Sequence, residues 1–247
     1  MDRLIYIAMN GAKHALSKQA STSHNLANVS TDGFRSQYNS ARAAAVIGPG
    51  QPTRTFVVDS TVGTNFAPGP IDHTGRGLDV AVEGRGWIAV QTPDGREAYT
   101  RSGALEINAN GQLQTKTGLN VVGDGGPIAI PPDNRISIGR DGTVSTIPTA
   151  GIPNITNAVG RIKLVNPNER ELVRGDDGLF RLSSGQPAPV DENVALAAGA
   201  LERSNVNAVS AITDIISQSR QFEMQIRMVQ TADQNARSAA QLLNLNA

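Results

Sequence analysis

The chain has no cysteine. This excludes disulfides, thiolate metal sites and cysteine nucleophiles, and it suits a protein that meets an oxidising compartment unfolded and must not cross-link there. Aromatic residues are scarce, at 4% of 247 positions, so a core must be built from Val, Ile, Leu and Ala. Net charge is also missing. The 22 basic residues balance 22 acidic ones, and no basic block points to nucleic acid or to an anionic membrane surface. No apolar run approaches the length of a membrane span. The stretch Leu4-Ile5-Tyr6-Ile7-Ala8-Met9, between Arg3 and Asn10, is too short for a secretory h-region. These features exclude direct membrane insertion and leave a cytoplasmic protein, or one exported by a route that reads something else.

Two further absences divide the chain. All 13 prolines lie between Pro49 and Pro189, and of 25 glycines only Gly11 and Gly33 precede Gly48 while only Gly199 follows Gly185. Both ends are therefore free to be helical, and the middle is punctuated like a β-domain. Four segments result: an N-terminal helix with its exit over 1–36, an extended connector over 37–70, a β-rich domain over 71–200 and a C-terminal helix over 201–247. The connector is flanked by Gly48-Pro49-Gly50-Gln51-Pro52 and Ala67-Pro68-Gly69-Pro70, and its one candidate strand is Thr55-Phe56-Val57-Val58.

In the β-rich segment, Trp87–Thr92 runs into Pro93-Asp94-Gly95 and returns as Arg96–Thr100. Asn110-Gly111, Asp141-Gly142 and Asp177-Gly178 separate further short runs of Val, Ile, Leu or Thr. Such dipeptides supply the φ > 0 positions of tight hairpins. Leu78–Val82 and Arg161–Val165 read as additional strands. No long helical pattern interrupts them, which favours an antiparallel core over a βαβ sheet.

At the N-terminus, positions three and four apart read Ile5, Ala8, Ala12, Ala15, Gln19, Thr22 and Leu26. At the other end they read Ile212, Ile215, Ser219, Phe222, Ile226, Val229, Asp233, Ala236, Ala240 and Leu243. This spacing puts each set on one seam of a supercoiling helix, so the expected fold class is α+β: a mainly antiparallel β-core with long terminal helices forming a coiled coil. The C-terminal helix, from about Val206 to Leu245, would span roughly 60 Å, so part of it must project. The N-terminal seam is poor. Ordering a residue costs about 1–2 kcal/mol of backbone entropy, and each buried Ile or Leu returns roughly 1.5–3 kcal/mol, of which this seam has two. The helix is expected to form only against another element.

A search for chemistry finds none. His14, His24 and His73 do not share the spacing of metal ligands on one helical face. Gly75-Arg76-Gly77 and Gly84-Arg85-Gly86 complete no phosphate-binding pattern, and Asp176-Asp177 sits in a turn composition. No serine lies in a nucleophile elbow. Neither catalytic residues, cofactor nor metal is expected, and the chain reads as an assembly part.

Three blocks carry a resemblance. The first is Asn25-Leu26-Ala27-Asn28-Val29-Ser30-Thr31-Asp32-Gly33-Phe34-Arg35. The second runs from Gly75 to Trp87 and on through Asp94–Gly103 and Asn110–Leu113. The third is Leu201-Glu202-Arg203-Ser204-Asn205-Val206-Asn207-Ala208-Val209, with Arg220–Glu223 beyond it. In this order they resemble the bacterial flagellar axial proteins, the family of rod and hook subunits, and among these the proximal-rod type. His24-Asn25 and Gly33-Phe34-Arg35 depart from the distal-rod pattern, which stays as the alternative reading; a β-rich peptidoglycan-binding or cleaving protein is the alternative from another class.

The resemblance implies terminal helices paired inside a hollow rod with the β-domain outside. It implies that subunits stack helically in the periplasmic basal body and transmit motor torque. The implied partners are other rod subunits, further copies of this chain, the flagellar type III export apparatus and a rod-capping protein. The implied assembly interface comprises Ile5, Ala8, Ala12, Ala15 and Leu26, then Asn25, Asn28, Gly33 and Phe34. Ser204, Asn205 and Val206 join it, together with Ile212, Ile215, Phe222, Ile226, Val229, Ala236 and Leu243 of the C-terminal seam.

Overall fold

The computed structural model describes residues 2–45, 55–132, 134–148 and 156–244. The chain divides into two compact units. One gathers Met1–Val29, Ser36–Asn65 and Val206–Ala247; the other gathers Ser30–Arg35 and Phe66–Asn205.

The first unit contains helix α1 (Asp2–Ala27), strands β1 (Gln37–Ala45) and β2 (Thr55–Thr64), and helix α2 (Ala208–Asn244). At 26 and 37 residues the helices are about 39 and 55 Å long. Asn207 caps α2 by accepting from Ser210 N at 3.0 Å, satisfying a donor that the first turn would leave open. The helices pack antiparallel: Thr22 bonds Gln218, and further along Gly11 faces Gln225.

On α1, Ala8, Ala12 and Ala15 are buried, and Ile5, Gln19, Thr22 and Leu26 are half-buried, along the expected seam. On α2 the packed positions are Ala208, Ala211, Ile215, Gln218, Ser219, Phe222, Gln225, Val229, Ala232 and Ala239. Ile215, Ser219, Phe222 and Val229 therefore lie where the spacing puts them, but Ala211, Gln225 and Ala232 are packed where Ile212, Ile226 and Asp233 were expected. Ile212 and Ile226 are 48% and 37% exposed, and Ala236 is exposed. The side chain of Leu243 lies outside the described residues. Along its seam α1 presents small residues, Ala8, Ala12 and Ala15 with Gly11 beside them, and Gln225 packs on Gly11 while Ile226 stays outside.

The segment expected as a connector differs more. β1 and β2 pair antiparallel from Gln37↔Thr64 to Ala45↔Thr55, with one irregularity at Ser40/Ala41. Gln37–Ala45 has no β-branched residue and no alternation, so its own sequence gave no strand signal. The pairing with the Thr- and Val-containing β2 supplies it. Gly48–Pro52 lies outside the described residues.

The second unit is built from antiparallel strands. Trp87–Gln91 is central, paired with Glu97–Thr100, Leu164–Val165 and Asn120–Gly123. The sheet ends in the hairpin Leu105–Ile107/Leu113–Thr115 on one side and Leu172–Arg174/Phe180–Leu182 on the other. A three-stranded meander (Asn134–Ile138, Thr143–Pro148, Asn157–Arg161) stands apart as its own sheet. All four turn dipeptides close hairpins. The run Arg161–Val165, expected as one strand, is split: Arg161 ends the meander, and Leu164 begins the strand on Trp87–Gln91.

The larger core cluster is aliphatic, around Val80, Val82, Ile88, Val90, Leu105, Leu113 and Leu164. Four of the nine aromatics gather in one place. Trp87, Tyr99 and Phe180 form a second cluster with Phe66 packed against it, and the Trp87 and Phe180 rings lie 4.6 Å apart.

The seam assignment is checked by two substitutions followed through the helical circular-dichroism signal on heating. Ala12→Leu overfills the close contact and should destabilise the helix unit by about 1–3 kcal/mol. Ile226→Ser, on the exposed side, should stay within about 0.5 kcal/mol.

Candidate functional site

The block from Asn25 to Arg35 belongs to both units, and each part has its own work. In the helix unit, α1 ends at Ala27, and Asn28 Nδ2 donates to the His24 carbonyl at 2.9 Å, satisfying one of the last turn's open acceptors. Asn25 does something a strand neighbour would do. Its Nδ2 donates to the Gln37 carbonyl at 2.7 Å, and its Oδ1 accepts from the Gln37 N–H at 2.8 Å. The same side of α1 holds the hairpin elsewhere: Asn10 Oδ1 accepts from Val57 N at 2.9 Å, and Ser17 Oγ accepts from Asn39 Nδ2 at 3.1 Å. α1 thus has an alanine face for α2 and an amide and hydroxyl face for the strands.

In the β-rich unit, residues 30–35 lie beside 200–205. Gly33 N donates to the Glu202 carbonyl at 2.7 Å, and Asn205 N donates to the Phe34 carbonyl at 3.3 Å. Gly33 has φ +70°, and a Cβ there would stand 2.3 Å from the Arg101 carbonyl carbon, so both conformation and space demand glycine. Phe34 is 6% exposed beneath the Arg174 guanidinium, whose carbon lies 4.5 Å from the ring centroid. Arg174 Nη1 also donates to the Arg35 carbonyl at 2.8 Å.

At the centre is Glu202, which is 1% exposed. Its Oε1 accepts from Arg35 Nη2 at 2.6 Å and from Gly69 N at 2.9 Å; its Oε2 accepts from Arg101 Nη1 at 3.0 Å. Arg35 is 1% and Arg101 4% exposed. Arg101 is further held by the Val82 and Gly84 carbonyls, at 3.2 and 2.6 Å, and lies 5.4 Å from the centre of the Trp87 ring. Burial pulls the Arg101 guanidinium below its ordinary value; Glu202 opposes that shift, and the neighbouring Arg35 charge adds to it. Two buried cations thus share one carboxylate. Arg35 Nε and Nη1 and Arg101 Nε find no hydrogen-bond partner among the described residues. Outside the cluster, Arg203 pairs with Asp32 and Asp72 at 3.2 and 2.8 Å in an exposed setting, where ion pairs contribute little.

The structure therefore gathers Gly33, Phe34, Ser204 and Asn205 of the expected site at one junction, where Ser204 is 5% exposed. Asn25 and Asn28 serve the helix unit, and Val206 is half-buried at its start. Ala8, Ala12 and Ala15 are buried within the chain's own helix unit. Sequence reading missed Arg35, Arg101 and Glu202 as partners. Each of the three blocks carries more than one charged residue, so nothing in the sequence singled out these three.

The sites considered for chemistry resolve into structure. Asp177 closes a hairpin, and its carboxyl is held below the ordinary range mainly by the hydrogen bond from Arg181. Among the described residues, no group of three or more His, Asp or Glu could hold a metal ion, and no helix is long and apolar enough to cross a membrane.

Comparison with known proteins follows this geometry. Residues 5–35 match the family described as flagella basal body rod protein, residues 81–146 the flagellar hook protein FlgE/F/G D1 domain, and residues 197–242 the flagellar basal body rod FlgEFG protein C-terminal. The flagellar basal-body rod protein FlgF of Escherichia coli K12 is 46% identical, with 100% of both chains covered. The chain belongs to the flagellar basal-body rod protein family. FlgF of Salmonella typhimurium LT2 is 44% identical and FlgF of Buchnera aphidicola subsp. Schizaphis graminum 34%, again over 100% of both chains. The three matched blocks each contribute one member of the Arg35–Glu202–Arg101 cluster.

Two measurements check the junction. Glu202→Ala strands two buried guanidinium groups and should lower the stability of the β-rich unit by about 3–5 kcal/mol, read by denaturant unfolding followed through Trp87 fluorescence. Asn25→Asp turns a donor towards Gln37 into an acceptor facing a carbonyl. It should cost about 1–3 kcal/mol, seen as faster amide exchange at Gln37 while α2 is unchanged.

Proposed function

We propose that this chain is a structural subunit of the proximal rod of the bacterial flagellum. In this reading it assembles helically with other rod subunits and further copies of itself into the hollow shaft that carries motor torque towards hook and filament. It reaches the periplasmic basal body through the type III export apparatus, which explains a chain without cysteine that meets an oxidising compartment unfolded. A rod-capping protein would attend its assembly. It carries out no catalysis.

The observation that carries this reading is the full-length relation to the FlgF proteins, joined to a buried cluster that uses one residue from each family block. The packed spacing from Ala211 to Ala232 supports a coiled-coil pairing of the terminal helices. Exposed apolar side chains on both helices support contacts between subunits: Leu4, Tyr6, Met9 and Leu16 on α1, with Val209, Ile212, Ile216, Met224 and Met228 on α2. On this view Ile212 and Ile226 act between subunits, and Ala8, Ala12 and Ala15 act within one.

Deleting the gene should abolish rod completion, filament growth and swimming, and the intact gene supplied in trans should restore all three. Filaments of ordinary length on the deletion strain would sink the proposal. Locating the protein in purified basal bodies separates a proximal from a distal position. Peptidoglycan cleavage lost on substituting a single Asp or Glu would favour the enzymatic alternative.

A further inference from the structure

The α1–α2 seam carries two polar side chains at positions where its spacing favours apolar ones. Gln218 and Gln225 stand seven residues apart in the packed series Ala211, Ile215, Gln218, Phe222, Gln225, Val229 and Ala232. Gln218 is 4% exposed. Its Nε2 donates to Thr22 Oγ1 at 3.1 Å, and its Oε1 is buried with no partner among the described residues. Gln225 covers Gly11. A Cβ built on that glycine would lie 2.9 Å from Gln225 Cδ, 3.0 Å from Oε1 and 3.1 Å from Nε2, so the amide presents its flat face to the bare backbone.

The alanines of the seam say little about alignment. Ala8, Ala12 and Ala15 on one helix and Ala211 and Ala232 on the other are small and alike, and a slip along the pair would exchange one shallow contact for another. The two amides behave differently. A slip by one heptad takes Gln218 away from its hydroxyl partner, to the level of Ala15 or Val29, and Gln225 away from the only helical glycine of α1, to the level of Leu4 or Lys18. A polar group at a seam position is a known way to fix register at a cost in stability, and a buried amide stripped of its partner is penalised.

We propose that Gln218, paired with Thr22, and Gln225, seated on Gly11, set the register of α1 on α2. They act as alignment residues and contribute little to the strength of the pairing. The inference rests on the helix contacts alone and holds whatever the unit assembles into.

The full chain allows a clean test, because it has no cysteine to interfere with site-directed labels. Nitroxides are placed at the exposed Lys13 and Arg227, and their separation is read by double electron–electron resonance. The parent chain should give one narrow distance. The double variant Gln218→Leu, Gln225→Leu should add a second, resolved distance population, produced by an axial shift of about 10 Å, the rise of seven helical residues, while the helical melting temperature stays equal or increases. Thr22→Val removes only the hydroxyl and should produce the second population in part. A parent-like single distance in the double variant overturns the proposal, as does a broad distribution already present in the parent. So does a lowered melting temperature with one distance, which would make the glutamines merely stabilising.

Discussion

The carboxylate of Glu202 is the constraint on which the rest of the β-rich unit's junction depends. It is buried, and it accepts from Arg35, Arg101 and the Gly69 amide, groups brought from three separate stretches of chain. A single carboxylate cannot fully offset two desolvated guanidinium groups, and several of their nitrogens lack partners among the described residues. Replacing such a cluster with apolar side chains is often neutral or stabilising. Its value is therefore positional. A hydrophobic contact would tolerate sliding, whereas two oxygens shared among three donors accept one arrangement. That arrangement brings residues 30–35 alongside 200–205, the places where the chain leaves one helix and approaches the other.

The helix unit solves a different problem. α1 has too little apolar surface to hold itself, and its partners are of two kinds. Alanines face α2 closely, which gains dispersion over a long contact without large side chains. Asn10, Ser17 and Asn25 face the hairpin and satisfy backbone or amide groups of β1 and β2. A two-stranded hairpin is marginal alone, and a helix this polar is marginal alone. Each supplies what the other lacks. Many large apolar side chains of both helices remain exposed, among them Leu4, Met9 and Leu16 on α1 and Ile212, Ile216 and Met224 on α2.

Much of this was legible in the sequence. Turn dipeptides placed four hairpins, because φ > 0 is a local demand that glycine and asparagine meet without help from the rest of the chain. The alanine seam of α1 was legible from spacing alone. The α2 seam was only half legible: periodicity selects the stripe richest in large apolar residues, while the partner's shape selected the stripe beside it, with alanine and glutamine. The strand at Thr55–Val58 was legible, but its partner β1 was missed, since β1 takes its strand character from β2 and from α1 and not from its own residues. Arg35, Arg101 and Glu202 were readable as members of motifs but not as partners, because 167 residues separate the two ends of one bond.

What the sequence determined by itself was therefore local and compositional: which stretches can be helical, where strands turn back, the absence of thiol chemistry, and the family, through three blocks in order. What only the tertiary structure decided was which groups meet. Burial of charge, choice between neighbouring helical stripes and the pairing of a weak strand are all properties of two surfaces together. No periodicity along one chain segment encodes the shape and charge of the segment that will cover it.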